Sequence, residues 1–83
     1  MALTDFYATH RAKRHMLEKH AVEWEEVAQV LWQEPPIRKV AVVRGERRYW
    51  MVGRTDSGRR LKPIVAAEPA GLMRVITAFE VRK

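Results

Sequence analysis

Two consecutive prolines, Pro35 and Pro36, divide the chain into parts with different hydrophobic periodicity. Proline lacks a backbone N–H and disfavours helical geometry in the residue before it, so a helix arriving from the N-terminal side must stop by Glu34. Apolar residues recur with helical spacing before the prolines and alternate as in strands after them. Helices followed by strands predict an α+β domain.

Two helices are predicted before the prolines. Thr9 is a candidate N-cap for a first helix over residues 10–19. The second helix covers residues 23–33, where apolar side chains follow the i, i+3, i+4, i+7 spacing of an amphipathic helix. Trp24 and Trp32 are predicted core residues of this helix. Residues 1–8 are predicted to be a short lead that covers the edge of the core with Phe6 and Tyr7.

Four antiparallel strands are predicted after the prolines. One face of their sheet is expected to cover the helices, and the other face is expected to be partly exposed to solvent. Alternation in the fourth strand places Ala78 on one face of the sheet and Met73 and Val75 on the other face. Pro63 cannot donate to a ladder, so a bulge or an unpaired side of the third strand is expected there. The predicted strands are Ile37–Val43, Arg47–Thr55, Leu61–Ala67 and Leu72–Phe79.

Positive charge is concentrated on one segment, Arg44–Lys62, which is predicted to form a hairpin with its turn at Asp56–Gly58. The segment contains seven cations and two carboxylates, Glu46 and Asp56, so its formal charge is +5 in a chain of net charge +6. A focused positive field concentrates anionic partners. Nucleic acid and an acidic protein both fit, and composition alone does not separate them.

The length of 83 residues predicts a single small domain, 1–83. The sequence contains no cysteine, so no disulfide bond can stabilise this domain. A chain of this size buries only about 60% of its unfolded surface, so we expect an oligomer or an obligate partner. Neither an apolar run long enough for a membrane span nor a secretory h-region occurs. The expected location is the cytoplasm.

Four motifs in one order resemble the BrnT-type toxins. Lys19–Val27 is similar to their K-H-G-V-x-x-E-E-[AV] opening and Val52–Arg59 to their [IV]-G-R-T-x-x-G-R hairpin. Glu46–Arg47 sits where they carry E-R, and Arg74–Ala78 resembles their R-[IV]-[IV]-[ST]-A strand. The resemblance implies a RelE-like fold and a metal-independent ribonuclease that arrests growth. It also implies a small antitoxin partner, usually of ribbon-helix-helix type.

Two departures indicate a divergent member of that group. Phe79 stands where a basic residue is expected, and the sequence ends at Lys83 where the toxins continue into a helix. They favour an alternative of a different class, a non-catalytic interaction domain. In that interpretation the basic hairpin docks an acidic protein or a second copy of the chain.

A metal-free ribonuclease must move protons at the ribose 2′-OH and the leaving oxygen, and must stabilise charge on the phosphorane. His20 suits the proton transfers because imidazole titrates near neutral pH, although a His at a helix end also caps carbonyls. Arg54 suits the phosphate, unless it is merely a solvated strand residue. Weaker catalytic candidates are Arg47, Glu46 and Arg74. Nucleic-acid-binding candidates are Lys19, Arg44, Arg48, Arg59 and Arg60.

No cofactor or metal is expected. His10, His15 and His20 are spaced by five residues, which misses the helical spacing of paired metal ligands. Trp50 or Tyr49 stacks on a base or packs under the sheet. The expected partners are RNA and a ribbon-helix-helix antitoxin, in a homodimer or a hetero-oligomer.

Overall fold

The computed structural model describes residues 5–82, which form two α-helices, six strands and a short 3-10 turn at Pro69–Gly71. Of the predicted lead, residues 1–4 lie outside the described part. In chain order the elements are β1 (Asp5–Tyr7), α1 (His10–His20), α2 (Trp24–Trp32), β2 (Ile37–Val43), β3 (Glu46–Met51), β4 (Gly53–Arg54), β5 (Arg60–Ala67) and β6 (Leu72–Glu80).

The strands form one mixed sheet in the order β1-β6-β5-β3-β2, with β4 pairing separately with β5. The α+β class is confirmed, but the sheet is not four antiparallel strands. Phe6 and Tyr7 belong to a strand that pairs in parallel with β6. Three residues carry too little periodicity to reveal a strand, and their pairing partner lies at the other end of the chain. The predicted second strand is broken at Val52 into β3 and β4.

The first helix has a side-chain cap at its N-terminus and a backbone cap at its C-terminus. Thr9 accepts a hydrogen bond from the Ala12 N–H at 3.1 Å, which confirms it as the N-cap. The helix ends where Ala21 adopts a left-handed conformation (φ 54°) and its N–H donates to the Leu17 carbonyl. Met16 is the buried residue that α1 contributes to the core.

The second helix ends before the prolines, as predicted. At its start, the Glu26 carboxylate accepts a hydrogen bond from the Glu23 N–H at 3.0 Å. Val27, Val30 and Leu31 are fully buried against the sheet. The amphipathic spacing therefore identified the covered face of this helix correctly.

The two tryptophans of α2 do not share the same burial. Trp24 is half-buried, whereas Trp32 is 67% exposed, so the prediction that Trp32 is a core residue was wrong. Both rings contact Phe6, at centroid distances of 6.0 and 5.1 Å. Phe6 lies on the edge strand β1, and one ring at the edge covers only one side of Trp32.

A β-bulge in β6 changes which side chains face the helices. Ile64 pairs with Thr77 and Val65 pairs with Val75, so Ile76 is an extra residue in the ladder. Beyond the bulge, Ala78 returns to the side of the buried Val75, contrary to the simple alternation predicted for this strand. The irregularity is one residue away from Pro63, although the extra residue belongs to the neighbouring strand.

Within residues 5–82 no helix is long and apolar enough to cross a membrane.

Gly53 permits the close approach of α2 to the sheet. A Cβ at this position would lie 2.7 Å from Val30 Cγ1, closer than carbon atoms tolerate. We therefore expect Gly53→Ala to lower the free energy of unfolding by about 1–3 kcal/mol. Chemical denaturation measures the change.

The double variant Gly53→Ala/Val30→Ala provides the control, because it removes the clashing methyl group. The double variant should lose less stability than the two single variants added together. Strict additivity would show that the glycine is not needed for this contact.

Candidate nucleic-acid interface

One side of the sheet carries partly exposed cations and aromatic rings, and we call it the helix-free face. Directly paired residues share a face. Arg74 pairs with Ala66, which pairs with Arg48, and these form one row. Further rows are Trp50, Ile64 and Thr77, then Lys62 with Phe79, then Arg54 with Arg60.

Two aromatic rings on the helix-free face have lysines beside them. Lys39 Nζ lies 5.1 Å from the Trp50 ring centroid, and Lys62 Nζ lies 5.9 Å from the Phe79 ring centroid. Both rings are half-buried, so part of each ring is open to solvent. Aromatic faces combined with cations are the surface that single-stranded nucleic acid binds by stacking and backbone attraction.

A shallow depression of about 520 Å³, which we call the basic groove, lies at the β4 end of the sheet. Arg54 is exposed and its Nη1 donates to the Gly58 carbonyl at 3.1 Å. Among residues 5–82, neither Arg54 nor Arg60 forms an ion pair with a carboxylate. The groove is lined by Arg54, Gly58, Arg59, Arg60, Glu80, Val81 and Arg82.

The turn beside the groove is held by a buried threonine. The Thr55 N–H donates to the Arg59 carbonyl at 2.8 Å, and Thr55 Oγ1 accepts from the Arg59 N–H at 3.0 Å. The helix α2 fixes the same turn from outside, because Gln29 accepts from the Asp56 N–H and Gln33 donates to the Arg54 carbonyl, both at 2.9 Å. The backbone that carries Arg54 is therefore well anchored.

Arg59 connects the helices to the end of the sheet. Its Nη1 donates to both carboxylate oxygens of Glu26, at 2.8 and 3.0 Å, and its Nε donates to Glu80 at 3.2 Å. Its Nη2 lies 3.5 Å from the His20 carbonyl. The hydrogen bond with Glu26, assisted by Glu80 and opposed by burial, raises the pKa of Arg59. This guanidinium is occupied by contacts within the protein.

His20 is the last residue of α1. Its half-buried ring is 5.7 Å from the Phe79 ring and 5.4 Å from the His15 ring. The two imidazole rings therefore lie close together although their residues are five positions apart in the chain. Phe79 immediately precedes Glu80, which lines the basic groove. The link between His20 and the groove is through its backbone, because the His20 carbonyl lies 3.5 Å from Nη2 of the lining residue Arg59.

A second ionic cluster lies at the opposite end of the helix-free face. Arg74 donates to Glu46 and, at 3.0 Å, to Glu68, while Glu46 also pairs with Arg48 at 3.2 Å. Tyr7 donates to Glu68 at 2.8 Å. The Arg74 hydrogen bond outweighs desolvation and, with Arg48, lowers the pKa of Glu46. Glu46 and Glu68 raise the pKa of Arg74, and Glu68 raises that of Tyr7.

The sequence-predicted catalytic residues are therefore not brought to one place. Six residue steps along β5 separate Ala66, beside Arg74, from Arg60, beside Arg54. At ~3.3 Å per residue the two positions are about 20 Å apart. Arg47 is exposed and pairs with Val42 on the other side of the sheet.

The remaining binding candidates are spread over the surface. Lys19 is exposed on α1, and Arg44 is exposed in the β2–β3 turn. Three surface residues of the interface were missing from the predicted set. Lys62 lay in the basic hairpin and could have been included on charge alone. Phe79 was assigned to the wrong face because the bulge is not visible in the alternation, and Arg82 lies beyond the predicted strands.

Residues 5–82 form a small α+β fold with two helices on one side of a mixed sheet. The chain is similar to the crystal structure of the Brucella abortus ribonuclease toxin BrnT, with a TM-score of 0.64 over 95% of this chain and 97% of that chain. Sequence identity is 12%. This match confirms the BrnT-like fold expected from the motifs, in a divergent sequence. No protein-family model and no curated protein matches the chain.

The ionic contacts of Arg59 predict a difference between neighbouring arginines. We expect Arg59→Ala to lower the free energy of unfolding by about 2 kcal/mol, since the partly buried carboxylates of Glu26 and Glu80 both lose their hydrogen bonds from this guanidinium. Arg60→Ala removes the same charge without breaking an ion pair and should change stability by less than about 0.5 kcal/mol. Thermal unfolding of the two variants side by side measures this. Equal losses would contradict a structural role specific to Arg59.

Acid should weaken the same contacts. Burial raises the pKa of Glu26, but the Glu23 N–H and Arg59 outweigh it, so the net pKa is lowered. A carboxylate with a lowered folded-state pKa contributes stability above its unfolded pKa, and that stability is lost as pH falls through the folded value. Stability should therefore decline as pH falls below about 4.5. Glu26→Gln should show a shallower decline, and an unchanged slope would rule out Glu26 as a contributor.

Proposed function

We propose that this protein is a toxin-like ribonuclease of the BrnT type that cuts RNA without a metal and is neutralised by a partner antitoxin. The proposal rests mainly on one observation: on a BrnT-like fold, a groove contains Arg54 and Arg60 without carboxylate partners among residues 5–82, and its Arg59 contacts the His20 carbonyl. We further propose that residues 1–83 act as a single domain. The cytoplasm is the compartment expected for such an activity.

RNA would lie along the helix-free face, with its backbone in the basic groove. Arg54, Arg60 and Arg82 are available for phosphate oxygens, because a guanidinium presents several donors in a planar fork. Trp50 and Phe79 offer faces on which unpaired bases can stack. Lys19, Arg44 and Arg48 would add long-range attraction, which weakens with salt.

The chemistry would use His20 and Arg54. His20 would exchange a proton with the ribose 2′-OH or the leaving oxygen, and Arg54 would stabilise the negative charge that develops on the phosphorane. Arg59 would act as a positioning residue, since it holds the carbonyl of His20 and the turn that carries Arg54. We propose that Glu46 and Arg74 maintain the far end of the sheet. Arg47 would not contact the reacting atoms.

A second candidate function is a non-catalytic interaction domain whose basic face docks an acidic protein. The observation that favours it is the separation of the predicted catalytic residues, with Glu46 and Arg74 already paired with each other. RNA cleavage distinguishes the two functions, because a docking domain binds without cutting.

The proposal is tested by induced expression in a bacterial host, followed by growth and total RNA integrity. Wild type should arrest growth and degrade RNA. Arg54→Ala should abolish the arrest while its melting temperature stays within a few degrees, as for a surface substitution. His20→Gln should slow cleavage of RNA by the purified protein by about 10²-fold or more.

Arg11→Ala is the matched control, because Arg11 is an exposed arginine of α1 outside the groove. The control should behave as wild type in growth and cleavage. Intact RNA and normal growth with folded wild-type protein would refute the ribonuclease proposal and favour the docking function. A loss of activity in the control as well would contradict a specific role for the groove, because an arginine outside it would matter equally.

A further inference from the structure

We propose that the free edge of β2 binds an extended, acidic segment of a partner protein, which adds a strand to the sheet. The segment would alternate carboxylates with aliphatic side chains. The proposal assigns a surface to the partner protein inferred above and rests on that part of the proposed function. It does not depend on ribonuclease activity.

Among residues 5–82, β2 is the last strand of the sheet and pairs with β3 alone. A two-residue turn, Arg44–Gly45, joins the two strands, with positive φ at both residues (53° and 79°). In such a hairpin the residues flanking the turn, Val43 and Glu46, exchange hydrogen bonds. The N–H and C=O groups of the alternate residues Val42 and Val40 consequently point away from β3. These groups are available to an added strand.

Apolar side chains stand on the same two residues. Val42 is 65% exposed and Val40 is 54% exposed. Ile37, at the start of the strand, is exposed as well. Val40 pairs with Tyr49, which packs on the core, so this strip continues the core-side face of the sheet beyond the part that the helices cover. Exposed valines on an edge strand are a site for pairing with another chain.

The charge around the β2 edge favours an acidic partner over a second copy of the chain. β2 itself contains Arg38 and Lys39 and no carboxylate, and Arg44 and Arg47 lie next to it in the turn and on β3. A second copy of the chain would bring the same cations together from both sides. An acidic segment would meet complementary charge at these four cations, and like-charge contacts oppose self-pairing.

An extended segment fits this edge better than a helix. Main-chain hydrogen bonds to an exposed edge supply affinity in strand addition, and alternate side chains supply selectivity. Aliphatic side chains at every second position would cover Val40 and Val42. The intervening carboxylates would reach the cations around the turn.

The experiment uses a short, end-blocked peptide in which glutamate and valine alternate, with NMR and hydrogen exchange on the whole protein. We expect amide shifts and slowed exchange at Val40 and Val42. Val42→Glu should weaken binding by at least about tenfold. A peptide of alternating lysine and valine should bind more weakly by a similar factor. Added salt should lower the affinity of the acidic peptide for the protein.

Leu17→Glu is the matched control, because Leu17 is a comparably exposed apolar residue (52%) on α1, away from β2. This variant should bind the acidic peptide as wild type does. Undisturbed β2 amides, or equal binding by Val42→Glu, would overturn the proposal. So would sedimentation showing a dimer of the free protein that Val42→Glu dissociates, since the edge would then belong to a second copy. RNA cleavage by the same variants tests the catalytic proposal separately.

Discussion

The ion pairs of Arg59 are the contact on which the arrangement of the site depends. This one side chain joins the start of α2, the last residue of β6 and the carbonyl at the end of α1. Its own backbone belongs to the turn that presents Arg54. In a small domain with a modest core, a charged group with several donors can fix elements that have little apolar surface to share. Arg59 thus connects the C-terminal end of α1 to the turn that carries Arg54.

The ionic contacts also divide the helix-free face into two regions of different electrostatic character. At one end, Arg48 and Arg74 are balanced by Glu46 and Glu68. At the other end, Arg54 and Arg60 have no carboxylate partner within the described part of the chain, and Lys62 lies beside Phe79. Excess positive potential is therefore concentrated where the groove lies. A formal count along the sequence cannot show this, because it treats paired and unpaired cations alike.

Local sequence signals predicted the helices better than the sheet. The Thr9 cap, the buried stripe of α2 and the stop before Pro35 depend on neighbouring residues, and all three were confirmed. β1 and the bulge at Ile76 depend on pairing between distant segments, so alternation within one strand did not reveal them. The site was predicted as a set of residue types, and residue type does not show which cations are paired. Arg54 and Arg59 are equivalent in the sequence and differ only in what surrounds them.

The bulge at Ile76 has a consequence for how such a binding surface can arise. One additional residue in β6 returns Ala78 to the core and turns Phe79 toward Lys62 on the open face. No side chain has to change identity for this exchange. A single-codon insertion or deletion in an ancestral strand would thus exchange its interior and ligand-facing residues in one step. Relatives of this fold can then differ in surface chemistry while the order of residues along β6 remains almost the same.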